Sequence, residues 1–99
     1  MTTSATETAK PLATGVAVTD DTLTVDLSDG RTVSAPLDWY PRLLHATQVE
    51  RGNWVLIARG EGVHWPDVDE DISVSSLIAG RPSAESAASL QRWLAGRKA

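Results

Sequence analysis

The stretch Gly60-Glu61-Gly62-Val63-His64-Trp65-Pro66-Asp67-Val68-Asp69-Glu70-Asp71 gathers a histidine, a tryptophan and five carboxylates beside a glycine-hinged turn. Two chemistries are conceivable there. An imidazole titrates near neutral pH and could act as a general base. His64 with Asp67, Asp69 and Asp71 could also offer nitrogen and oxygen ligands to a divalent cation, since alternating Asp residues line calcium loops. Each lacks something. A calcium loop needs a central glycine and a distal glutamate, and neither is in place. A structural zinc site needs four nitrogen or sulfur ligands, whereas the chain has two histidines and no cysteine. Ser73, Ser75 and Ser76 follow, but none sits in a nucleophile elbow. His45 ends an apolar helical turn and reads as a partly buried structural residue. The plainer reading is a solvated acidic loop whose carboxylates cap the following helix, where the helix dipole favours them. No catalytic residue, metal-ligand set or cofactor site follows from the sequence.

Binding is the second chemistry to weigh. Phenylalanine is absent, so four tryptophans and one tyrosine carry the aromatic bulk. Trp54 lies in an apolar run and Trp93 on the apolar side of a C-terminal helix, so both are expected to pack. Trp39 and Tyr40 precede Pro41, and Trp65 precedes Pro66; these three are the candidate exposed aromatics. Trp and Tyr are enriched at binding hot spots. The candidate partner surface is therefore Trp39, Tyr40, His64, Trp65, Asp67, Asp69, Glu70 and Asp71, suited to a basic partner and weakened by salt.

Composition narrows the classes. Ninety-nine residues suffice for one small domain. The absence of cysteine excludes a disulfide framework and fits a reducing cytosol. No apolar run approaches the length that crosses a bilayer, and the N-terminus lacks the apolar segment of a secretory signal. The net charge of −4 repels phosphate, so no direct nucleic-acid binding is expected. Arg92, Arg97 and Lys98 are too few to track a phosphate backbone and suit a helix C-terminus.

The elements that would position these residues read as an α+β domain. Residues 1–14 are expected to be a disordered N-terminal arm, 15–80 the core domain, and 81–99 a C-terminal helix with a basic tip. From Val16 apolar residues alternate through Val18, then Leu23, Val25 and Leu27, then Val33, Ala35 and Leu37, as in strands with one buried face. A two-residue turn at Asp20-Asp21 sets Val18 opposite Leu23 and Val16 opposite Val25. At Ser28-Asp29-Gly30 a two-residue Asp-Gly turn would set Asp26 opposite Val33, mixing polar and apolar on one face. A three-residue loop with Gly30 left-handed instead pairs Leu27 with Arg31, Val25 with Val33 and Leu23 with Ala35. The result is a small three-stranded antiparallel meander.

Pro41 suits a first helical turn above Leu43 and Leu44. Thr47-Gln48-Val49-Glu50 is a capping-box sequence for a short helix ending at Gly52. Trp54 to Ala58 is apolar on both faces, as expected of a strand inside a covered sheet, and Val63 to Trp65 return as its hairpin partner. Ser73 caps a short helix, Val74 to Ala79, stopped by Gly80. Ser83 caps a longer one, with Ala87, Leu90, Trp93 and Leu94 on one side.

Three segments in order, Val18 to Leu23 leading to Ser28-Asp29-Gly30-Arg31, then Trp39-Tyr40-Pro41-Arg42-Leu43-Leu44, then Gly62 to Ile72, resemble the small bacterial domain-of-unknown-function family numbered twenty-four forty-two. The resemblance covers about Gly15 to Gly80. It implies a compact sheet with small helices and no established enzyme activity; some relatives look like halves of two-gene, toxin–antitoxin-like units. Some carry an attached helix-turn-helix, which the single helix after Gly80 here cannot supply.

The function expected is a non-catalytic cytosolic protein-interaction module, the antitoxin-like half of a two-gene unit, binding a small basic protein through the acidic loop. The alternative is a small metal-dependent or His-based hydrolase centred on His64 and the carboxylates after it. Self-association through the exposed edge of the first sheet is a third outcome.

Overall fold

The alternating apolar residues from Ala13 onward fold as an antiparallel meander in the computed structural model, which describes residues 10–97. β1 (Ala13–Val18), β2 (Thr22–Leu27) and β3 (Thr32–Pro36) pair in the order β1-β2-β3. The register is the one the hydrophobic pattern demands: Val16 faces Val25, Val18 faces Leu23, Val25 faces Val33 and Leu23 faces Ala35. Leu27 N–H donates to the Arg31 carbonyl at 2.8 Å across the three-residue loop, and Gly30 adopts φ +93°. A side chain at that φ would clash with its own backbone, so glycine sets the loop type, which in turn sets the register.

The arm proves shorter than the sequence suggests. Ala13 is buried and, with Thr14, belongs to β1. Leu12 exchanges hydrogen bonds with Ser28, its N–H donating to Oγ at 3.0 Å and its carbonyl accepting from Ser28 N–H at 2.8 Å. The segment Leu12-Ala13-Thr14 is too short to show strand periodicity, and long-range pairing with β2 recruits it. Residues 1–9 of the expected arm lie outside the described residues.

After β3 come a 3₁₀ turn at Leu37–Trp39, α1 (Pro41–Leu44) and α2 (Gln48–Gly52). The capping box forms as expected: Thr47 Oγ1 accepts from Glu50 N–H at 3.1 Å and Glu50 Oε1 accepts from Thr47 N–H at 2.8 Å. β4 (Val55–Ile57), β5 (Gly62–Trp65) and β6 (Glu70–Ser73) make a second antiparallel sheet in the order β4-β5-β6. Half of the acidic stretch is therefore strand rather than loop. The expected hairpin gains a third strand because Val68 and Ile72 are buried and pull the chain back along β5.

Between β4 and β5 the chain turns through Ala58, Arg59 and Gly60, all at positive φ (50°, 60° and 98°). A Cβ on Gly60 would lie 2.9 Å from the Ala13 carbonyl oxygen, so only glycine lets this turn close over the start of β1.

α3 (Val74–Ile78) is capped by Ser73, whose Oγ accepts from Ser76 N–H at 3.1 Å. The carboxylates before it do not cap it; Ser73 does. α4 (Ala87–Arg97) starts later than expected. Ser83 Oγ accepts from Glu85 N–H, whereas Ser86 Oγ accepts from Ser89 N–H at 3.1 Å, the bond of a helix N-cap.

One core joins both sheets. Leu23, Val25, Leu27, Ala35 and Leu37 meet Val63, Trp65, Val68, Ile72, Val74 and Leu77, with Tyr40 and Leu43 among them. Arg51 is buried and ties three pieces together: Nε and Nη2 donate to the carbonyls of Leu43 and Leu44 at the end of α1, and Nη1 to Asp20 Oδ1 at 2.8 Å. The architecture is α+β, two three-stranded antiparallel sheets with short helices and a C-terminal helix.

Candidate functional site

The second sheet carries most of the candidate residues, and its register decides which way each one faces. Val55 pairs with His64 and His64 with Asp71; Ile57 pairs with Gly62 and Gly62 with Ser73. Side chains alternate along a strand. That row forms the outer face, and Leu56, Val63, Trp65, Glu70 and Ile72 take the inner one.

Trp65 is therefore core, 0% exposed, with Nε1–H donating to the Arg51 carbonyl at 3.0 Å. Tyr40 is 2% exposed, and its hydroxyl has no hydrogen-bond partner among the described residues. Both were expected at the surface. A proline after each suggests a loop, yet Pro41 opens α1 and Pro66 ends β5, and the aromatic before each points inward. Trp39 is half-buried against the core and its carbonyl accepts from Ser83 N–H at 3.0 Å. The three aromatics do not form an exposed docking patch.

The acids separate in the same way. Asp71 is exposed on the outer face, its Oδ1 against His64 Nδ1. Asp67 accepts from Asn53 Nδ2 at 2.9 Å at the sheet's end. Asp69, at φ 53°, is 87% exposed with its carboxylate 3.9 Å from Arg42. Glu70 turns inward, and burial pushes its carboxyl up to about 7, helped by Glu85, Asp71 and Asp69 and opposed by Arg42. It borders an open cleft of about 510 Å³ lined also by Tyr40, Ser76, Arg81 and Ser83. Burial and the charge of Glu70 raise the Tyr40 phenol as well.

His64 and Asp71 are thus brought together, whereas Asp67 and Asp69 diverge. Among the described residues no group of three or more His, Asp or Glu side chains could hold a metal ion. The His64–Asp71 pair supplies a base and its orienter, the two members that stand behind a nucleophile. Among the described residues its ring makes no hydrogen bond to a serine. His45 is exposed, not partly buried, because α1 ends before it.

Several residues outside the expected set shape this region. β4 is not a covered strand: Val55, Leu56 and Ile57 are 45%, 40% and 38% exposed, and the strand lies at the sheet edge. A continuous apolar run signals a strand but not which neighbours it has, so nothing in the sequence placed it at an edge. The C-terminal helix is held by two arginine clamps. Arg42 donates to both Glu85 oxygens, the shortest bond 2.8 Å, and Arg97 to both Glu50 oxygens, the shortest 2.7 Å. Both guanidiniums lie over the Trp93 ring, 5.3 and 4.7 Å from its centre. Arg97, expected in a basic tip, is thereby neutralised; Lys98 lies outside the described residues.

Two small packed sheets, with exposed carboxylates bordering an apolar edge, define an α+β domain of a compact type. The chain belongs to the family described as protein of unknown function, DUF2442, which it matches over residues 13–83. It is similar to the crystal structure of a protein of unknown function from Rhodospirillum rubrum, with 25% identity and a TM-score of 0.67, covering 78% of this chain and 95% of that one. No curated protein matches the chain. The family match ends before α4, so the clamped helix lies outside it. Among the described residues no helix is long and apolar enough to cross a membrane.

Proposed function

We propose that the chain is a non-catalytic, cytosolic protein-interaction module that takes a small basic protein on the outer face of its second sheet, as the antitoxin-like half of a two-gene pair. The observation that supports this reading most is the make-up of that face. Val55 and Ile57, both exposed, lie in line with Asp71, and Asp67 and Asp69 project at its end. An apolar strip with a charged border is how docking surfaces combine affinity with steering. The net charge of −4 favours a basic partner over a nucleic acid. Trp65, Tyr40 and Glu70 support the surface from beneath and do not touch the partner. The hydrolase alternative has less behind it, since His64 is held by Asp71 with no nucleophile bonded to its ring among the described residues.

The test is capture of the protein encoded beside this gene after co-expression. Reversing Asp69 and Asp71 to lysine should weaken capture roughly tenfold or more, because each reversal turns an attraction into a repulsion. His64→Ala should change it little. Full capture by the double reversal, or its loss on His64→Ala alone, contradicts the reading.

A further inference from the structure

The edge of β4 has properties that isolated sheet edges avoid. Native proteins blunt such edges with charge, proline, bulges or covering segments, because unpaired backbone groups recruit other strands. Val55-Leu56-Ile57 contains none of these devices, and all three side chains are exposed. Beyond the hairpin bonds to β5, no backbone hydrogen bond reaches Val55, Leu56 or Ile57 from elsewhere among the described residues.

We infer that this edge pairs with β4 of a second copy of the chain, antiparallel, about a two-fold axis through Leu56. Three features of the strand fit its own copy. An odd-length strand centred on Leu56 sets Leu56 opposite Leu56, Val55 opposite Ile57 and Ile57 opposite Val55, so every apolar side chain meets another on its own face. The six strands then form one sheet, and the inner rows containing Leu56 and Val63 become continuous. The charges also complement each other. In this register the end of β4 that carries Arg59 lies beside the end that carries Asn53 in the second copy, and Asn53 holds Asp67. Arg59 is exposed and makes no ion pair among the described residues, so each copy brings a cation to the other's carboxylate. A strand from an unrelated basic protein would meet Arg59 as a like charge.

The pairing engages the backbone edge of β4 and turns Asp67 to Arg59, so Asp67 is shared with the face proposed for the basic partner, whereas Asp69 and Asp71 stay open on the outer face. The pairing does not require that reading to hold. A three-residue ladder is short, so the dimer belongs to the weak, concentration-dependent class of interfaces.

Sedimentation equilibrium of the full chain alone, over a dilution series from ~1 mM to ~1 μM, reads the association directly. The mass should move from two chains to one across the series. Leu56→Lys places like charges opposite each other and should raise the dissociation constant roughly tenfold or more, with circular dichroism confirming the fold. Arg59→Glu, at an exposed turn position, should weaken the dimer too, and Arg59→Glu with Asp67→Arg should restore it. A one-chain mass throughout overturns the inference, as it would if β4 instead received a strand from another protein. A two-chain mass unmoved by both single variants overturns it as well and would place the contact elsewhere, such as the edge of the first sheet. Loss of partner capture with the dimer intact would count against the functional reading alone.

Discussion

Glu70 sits opposite Trp65 on the face that the core covers, and burial holds its carboxyl near 7 against an ordinary value of 4.5. The folded chain therefore binds this proton more tightly than the unfolded chain. The cost of ionising Glu70 is absent below the unfolded value and grows as pH rises from about 4.5 to about 7. Glu70→Gln should raise stability at pH 8 by about 1–2 kcal/mol and leave it unchanged at pH 4, measured by urea unfolding. Trp65→Phe should cost about 2–3 kcal/mol, since it opens a cavity and leaves the buried Arg51 carbonyl without its donor; equal stability would mean that Trp65 is not core. At this scale the sequence showed which residue types cluster and not which way they face. Trp65 and Glu70 occupy the inner positions because β6 pairs with β5, and that pairing depends on Val68 and Ile72, apolar residues spaced among acids.

The elements differ in how they are held, and that difference predicts how they fail. The meander was legible because turn chemistry and alternation agree on one register; Gly30→Ala should cost about 1 kcal/mol or more, at φ +93°, read as a lower urea midpoint. The capping box of α2 was equally legible, being purely local. α4 was only half legible. Its apolar side was visible, but no residue of the helix is fully buried, and its fixings are Arg42–Glu85 and Arg97–Glu50, which join residues far apart in sequence. Each arginine holds its glutamate below the usual carboxylate range through side-chain hydrogen bonds. Those pairs stabilise fully above the unfolded carboxylate value and are lost as pH falls through the lowered one. α4 should thus come away in acid before the sheets unfold. Arg42→Ala should release it at neutral pH, at about 1–3 kcal/mol for a partly buried pair, seen as a red shift in Trp93 fluorescence with strand circular dichroism preserved. β4 was the reverse case. Its strand character was plain and its position misread, since an apolar run describes a middle strand and an edge awaiting a partner alike.

As a whole molecule the chain is a single core with its chemistry pushed to the outside. The α+β class and the order of elements, β6 excepted, followed from sequence because they rest on local pattern, and the family from the resemblance of three segments in order. The candidate site followed in part. Asp67, Asp69, Asp71 and His64 are at or near the surface, whereas the aromatics expected beside them fill the interior, and the apolar part of the surface comes from Val55 and Ile57 instead. On the proposed reading, this acid-bordered sheet face captures a basic protein. The most direct measurement is co-purification of the chain with the product of the neighbouring gene at low and at high salt. A complex that forms at low salt and loosens as salt screens the carboxylates is the predicted result. No complex at either salt, or one indifferent to both salt and reversal of Asp69 and Asp71, would contradict it.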